Sequence, residues 1–325
     1  MTYLGRRLIR SIVLLLGVSV LCFLFTEMAP GSFFDEMRLN PQISPGTISS
    51  LRSRYGLDQP YAVRYGRWIR SAVHGDFGYS IAYNTPVAAL LWERAKNTLL
   101  LTTTGLFLTW LISVPLGIWV ATRRGRVVDK AFNVGTSFLL SVPEVVIAVA
   151  LLAMVVHWRF IPLGGMHSID NEGLSALARL RDVAAHMALP VLILVLVESA
   201  IIARHVRASV VEVLSMPFVE AARAWGIRRM RMLFRHVLPV AASPLISLFG
   251  VSLSSLLSGS LLVEAVCGWP GLGPLILEAT LSRDLYVVIA GIMLSALFMV
   301  GGSLVADILL LACDPRIRTG APDAL

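Results

Sequence analysis

Two acids stand where hydrocarbon is expected: Glu144 and Glu198 each interrupt an otherwise uncharged apolar run. A carboxylate left against lipid is costly, so each must face a cavity or a partner. There it could meet a proton, a cation or the amino group of a solute. The structural alternative is a carboxyl satisfied by Ser, Thr or backbone groups, or one kept protonated. Asp307 lies near the end of the last apolar run, where a structural role is expected. The other polar intrusion is "EAARAWGIRRMRMLFRHVLP", Glu220 to Pro239, with five Arg and one His against a single Glu. Catalytic patterns are missing from the sequence. His157, His167 and His186 match no zinc-helix spacing, no G-x-S-x-G elbow occurs, and Cys22, Cys267 and Cys313 form no CxxC pair.

The elements that must position these residues are apolar. Of 325 residues, 56% are hydrophobic and 15% charged, against about 25% charged in soluble domains. The formal charge of +8 therefore bears on topology before it bears on nucleic acid, for which no solvated basic domain is available. Crossing a bilayer takes roughly 20 apolar residues in a helix, which predicts spans near 9–28, 98–122, 131–157, 187–207, 243–266 and 286–311. The first resembles a secretory signal, but its uncharged run is long and no A-x-A site follows, so a retained helix is expected. Placing both termini in the cytoplasm puts 16 Lys and Arg on the inner segments, including seven Arg between Arg204 and Arg235. The two short outer loops then carry only Arg159, Arg179, Arg181 and Arg283, as the positive-inside rule requires. Counted along a straight third span, Glu144 lies roughly 20 Å deep.

Residues 29–97 form the one long outer segment. Tyr61, Tyr65, Trp68, Ile69 and Val73 recur at helical spacing and predict an amphipathic helix on the outer membrane surface. Thr85 and Pro86 read as the N-cap and first residue of an elbow into the second span. Gly and Pro in "VCGWPGLGPLILEATLSRDL" predict a sharp or re-entrant turn between spans five and six.

In the inner loop before span five, Pro217 suits a helix start, Glu220 its first turn and Gly226 its C′ position. Ala221, Ala222 and Ala224 keep one face small enough to enter a groove on another protein; a solvated basic loop is the alternative. These residues resemble a known signature. "EAARAWG", nine residues and then His236-Val237-Leu238-Pro239 is similar to the EAA-x3-G-x9-I-x-LP motif of ABC importer permeases, with His236 in place of Ile. "YGLDQPYAVRYGRWI", "GDFGYS", "SVPEVVI", "ARHVRASVVEVL", "VCGWPGLGPLILEATLSRDL" and "DPRIR" extend the resemblance from residue 1 to about 318, toward the dipeptide/oligopeptide/nickel permeases. Cys267 departs from the Phe or Ser expected before "WPGLG".

The resemblance implies an all-α membrane protein of type I ABC importer permease architecture in a bacterial inner membrane, with six transmembrane helices and both termini cytoplasmic. The expected parts are a first transmembrane helix (1–28), an extracytoplasmic loop (29–97), a permease core (98–313) with a coupling loop at 208–240, and a cytoplasmic tail (314–325). It implies a second homologous permease, two ATPase subunits and an extracytoplasmic solute-binding protein as partners. Consistently, the chain has no G-x-x-x-x-G-K-[ST] loop, so ATP belongs to the partners and no cofactor is expected on this chain. Glu220, Ala221, Ala222, Gly226, Leu238 and Pro239 would couple the ATPase to transport of short peptides or related solutes. Trp269, Pro270, Gly271 and Gly273 would belong to an outer gate, and Glu144 and Glu198 to the path. The competing reading is a secondary transporter using Glu144 and Glu198 as a proton or cation relay.

Overall fold

A computed structural model describes residues 3–28, 44–54, 58–158, 161–168, 173 and 175–313. The expected break after the first helix at Pro30–Ser32, Arg159 and the tail with Arg316 and Arg318 lie outside the described residues. The helices are α1 (Tyr3–Met28), α2 (Pro45–Arg54), α3 (Tyr61–Val73), α4 (Val87–Ala121), α5 (Val127–Ser141), α6 (Glu144–Trp158), α7 (Ala176–Leu214), α8 (Pro217–Ala224), α9 (Arg229–Met232), a π-helical turn (Leu233–Val237), α10 (Leu238–Cys267), α11 (Leu272–Leu281) and α12 (Leu285–Cys313). Two-residue strands β1 (Tyr79–Ser80) and β2 (Thr85–Pro86) pair antiparallel between α3 and α4. Thr85 and Pro86 are thus strand residues rather than a cap and first turn.

Five of these helices are long and apolar enough to cross a membrane, and α5 with α6 makes a sixth crossing if the bent pair counts as one. The third span is the correction: Val142-Pro143 splits 131–157 into two helices bent by 95°. Pro143 supplies no N–H and disfavours helix at the residue before it, and Val142 is extended (ψ 127°). A depth for Glu144 counted along a straight rod therefore fails; Glu144 opens α6.

The described chain divides into two compact units, Met1–Thr98 with Pro270–Leu297, and Leu99–Trp269 with Phe298–Leu325. In the first, α3 forms as its spacing predicts, but its aromatic face is not left to lipid. Phe23 of α1 packs against Tyr61, Tyr65 and Trp68 with ring centroids 5.8, 5.4 and 5.6 Å apart, and Tyr65 shares a 2.9 Å hydrogen bond with Ser19. The β-hairpin is fastened to the α11–α12 corner: Ser80 Oγ and the Ala82 N–H donate to Asp284 Oδ2 (2.6 and 3.1 Å), and the Tyr83 hydroxyl donates to Glu278 (2.6 Å). Burial, then the Glu278 hydrogen bond, pushes the Tyr83 phenol up to about 12.

In the second unit α7 is the spine. Its apolar window is 61% buried, against 11% for α1, and both large apolar clusters of the unit draw on it, through Ile193 and Leu194 above and Ile202, Val206 and Val210 below. Lipid supplies no hydrophobic drive between helices, so close approach and interhelical hydrogen bonds must hold them. Gly117 of α4 meets α7 so closely that a Cβ there would lie 2.7 Å from Val206 Cβ and 2.8 Å from the Ala203 carbonyl. Trp110 Nε1 donates to Ser252 (3.0 Å) and Ser209 Oγ to the Ala241 carbonyl (3.1 Å), tying α10 to α4 and α7.

Candidate functional site

The basic stretch folds as a hairpin with a fixed base and a bare outer face. Pro217 occupies the first turn of α8 and Glu220 falls in that turn, where its charge favours the helix dipole. Gly226 adopts φ +70°, and the Ile227 N–H reaches back to the Ala222 carbonyl (3.2 Å), a left-handed closure that Gly makes without strain. The basic residues after Gly226 continue as helix: α9 passes through the π turn directly into α10. Val219, Met232, Leu233 and Val237 are all buried and join Val206, Val210 and Val213 of α7 in one apolar cluster. Arg229 Nη2 donates to the Thr122 carbonyl at the end of α4 (2.6 Å).

Outward stand Glu220, Ala221, Arg223 and Ala224, with Ala222 half-buried. Trp225 is 87% exposed, and an added Cβ at Gly226 would meet open space. Phe218, Met230 and Phe234 are exposed as well. Leu238 is half-buried and Pro239 exposed where α10 begins. Sequence reasoning passed over Trp225 and Phe218, although both flank the alanines inside the motif; an aromatic at the end of a short charged helix was the available signal.

The acids converge on one face of α10. Ser255 Oγ donates to Glu198 Oε2 of α7 (3.2 Å). One turn on, a Cβ at Gly259 would lie 3.1 and 3.2 Å from the Glu144 carboxylate oxygens. Positions i and i+4 share a helix face, so Glu144 and Glu198, 54 positions apart, flank the same strip of α10. Glu198 is buried and Glu144 half-buried. Gly259 is what allows the Glu144 side chain to approach, a role its position in an apolar run does not reveal.

The structure singles out a third acid. Asp129, buried at the start of α5, accepts from Arg207 Nε (2.5 Å) and Nη2 (2.9 Å) of α7 and from the Gly125 N–H (2.9 Å). The pair holds the turn after α4 against the spine.

The four residues expected at an outer gate are packed. Trp269 is 1% exposed in the second unit's core, its N–H on the Glu264 carbonyl (2.9 Å). In the first unit, Pro270 O accepts from Asn97 (2.8 Å), and Leu272 N donates to Thr98 (2.9 Å). Gly271 and Gly273 are buried there. Among the described residues no group of His, Cys, Asp and Glu is placed to hold a metal ion.

Residues 113–319 match the family described as binding-protein-dependent transport system inner membrane component. The chain is 35% identical over 319 residues to the oligopeptide transport system permease protein AppB of Bacillus subtilis (strain 168), covering 97% of this chain and 99% of that one. It is 31% identical over 334 residues to the dipeptide transport system permease protein DppB of Escherichia coli (strain K12), covering 97% and 98%. Among solved structures, an inward-facing form of the MetNI methionine ABC transporter aligns with a TM-score of 0.51 at 20% identity, over 69% of this chain and 96% of that one. That likeness places the fold with type I ABC importer permeases.

Proposed function

The chain belongs to the family of inner membrane components of binding-protein-dependent transport systems, and from that premise we propose that it is a multi-pass permease subunit of an ATP-driven importer of short peptides. AppB and DppB, by their names, are permease proteins of oligopeptide and dipeptide transport systems, and near-complete coverage supports the same substrate class here. The partners under this reading are a solute-binding protein outside, a second permease, and cytoplasmic ATPase subunits that do the nucleotide chemistry.

The observation that carries coupling is the hairpin: a rigid apolar base on α7 with Ala221, Trp225 and Gly226 exposed at its tip. A protruding element rooted in the central helix can convert a partner's closure into movement of α7 and α10, biasing a two-state bundle. With both termini inside, this tip faces the cytoplasm, as the Arg count favours. Glu144 and Glu198 then form the polar strip of the path, where a peptide's ammonium group would gain a charge-assisted hydrogen bond.

Ala221→Trp tests the reading, because Ala221 is exposed and the change leaves the base intact. The expected result is a membrane-inserted complex whose ATPase no longer responds to peptide-loaded binding protein and whose uptake is lost. Full substrate-stimulated ATPase with normal uptake would remove the hairpin from coupling.

A further inference from the structure

Beside the hairpin lies a groove of about 1310 Å³, lined by the ends of α4 and α7, the turn after α4, and the 223–238 segment. It exceeds the roughly 300–1,000 Å³ of ordinary small-molecule pockets. Five arginines reach it, Arg123, Arg124, Arg126, Arg223 and Arg229, and none of its described lining residues is acidic. The acid on the same turn, Asp129, is buried and occupied by Arg207. Apart from Thr122 and Ser215 the remaining wall is apolar, including Val114, Ile118, Leu214, Leu233 and Phe234.

The order of these residues along α4 matters more than their number. Val114 and Ile118 belong to the membrane-spanning helix, Trp119 follows half-exposed, and Arg123 stacks over the Trp119 ring with its guanidinium carbon 4.3 Å from the centroid. Arg124 and Arg126 come next and are exposed. From Val114 to Ala121, the end of α4, the rise is roughly 10 Å, and Arg123 follows in the turn. Over that distance the wall passes from hydrocarbon-like, through an interfacial aromatic, to guanidinium. A phospholipid presents the same sequence from acyl chain through glycerol to phosphate, and basic pockets at the ends of spanning helices suit anionic headgroups. A free phosphate would leave the apolar wall unused.

We propose that this groove is a binding site for an anionic phospholipid, with the phosphate among Arg123, Arg124 and Arg126 and the acyl chains along Val114 and Ile118. The site rests on the reading of α4 and α7 as membrane-spanning but not on what the permease carries. Because Arg223, Arg229 and Phe234 of the hairpin also line it, the lipid bridges the hairpin to the end of α4 and steadies the element proposed to receive the ATPase.

The test uses the purified full-length chain, with dioleoyl phosphatidylglycerol or dioleoyl phosphatidylcholine titrated in native mass spectrometry. Phosphatidylglycerol is expected to bind at least tenfold more tightly. Arg124→Gln with Arg126→Gln should weaken it roughly 30-fold, from about 1 kcal/mol per basic residue. Brominated phosphatidylglycerol should quench a component of fluorescence that Trp119→Phe removes, both in the isolated chain and in the transporter purified with its partners. Equal binding of the two lipids, no effect of the double variant, or displacement by millimolar inorganic phosphate would each overturn the proposal. So would Trp119 quenching that vanishes in the assembled transporter, which would give the groove to a protein partner. Lipid occupancy is read without ATP or peptide, so its failure leaves the importer reading untouched.

Discussion

Asp129 and Glu198 are both carboxylates buried in the same unit, one facing α7 from α5 and the other on α7 itself, yet the fold furnishes them differently. Asp129 receives two N–H groups from Arg207 and a third from Gly125. Glu198 receives one hydroxyl, from Ser255, and its neighbour across the α10 face is a second acid, Glu144. Among the described residues no Lys or Arg pairs with either glutamate. A buried charge with its counter-charge in place is a fastening. A buried acid whose nearest charged neighbour is a second, half-buried acid is a place where an arriving cation or proton gains most. The contrast assigns Asp129 to architecture, and it is what supports the proposal that the glutamates line the path.

The largest expected effect breaks the fastening. Arg207→Gln strands a buried carboxylate and should cost about 3–5 kcal/mol, seen as a lowered melting midpoint in detergent. The double replacement Arg207→Met with Asp129→Leu should recover most of it; no recovery would mean that the pair carries more than structure. Glu198→Gln sharpens the other side. The Ser255 hydroxyl keeps an acceptor, so stability should change by no more than about 1 kcal/mol. Uptake of peptides with a free amino terminus should fall about tenfold, matching the loss of one hydrogen bond to a charged group, while N-acetylated peptides are affected less. Equal loss for both peptide types would take Glu198 out of amine recognition. The smallest effect comes from Gly259→Ala, whose methyl would sit 3.1 Å from Glu144 Oε2 and needs that flexible side chain to yield by a few tenths of an ångström. A several-fold shift in peptide preference with unchanged expression is expected, and an unchanged preference would show that Glu144 need not hold its place.

Much of this contrast was hidden from a linear reading. Glu144 and Glu198 stood out because charge is conspicuous in an apolar run, but their convergence on α10 depends on Gly259, which resembles any other small residue. Asp129 and Arg207 are 78 positions apart, and nothing local in the sequence pairs them. The hairpin was legible for the opposite reason. Its opening Pro217, first-turn acid, small residues and terminal Gly226 are local features, all within a dozen residues. The bend at Val142-Pro143 was missed because a hydropathy window averages across a proline.

By itself the sequence determined which segments are apolar enough to enter a bilayer and which family the chain resembles. Backbone polar groups must be satisfied within each helix in hydrocarbon, so a sufficiently long apolar run has little choice of structure, and a short motif carries its own turn chemistry. Only the tertiary structure decided which faces meet: that α3 covers Phe23, that Gly117 lets α4 close on α7, that Arg207 finds Asp129, and that two glutamates share one strip of α10. Lipid rewards no apolar face over another, so the choice among them falls to close approach at glycines and to a few interhelical hydrogen bonds, and those depend on pairings that no local pattern encodes.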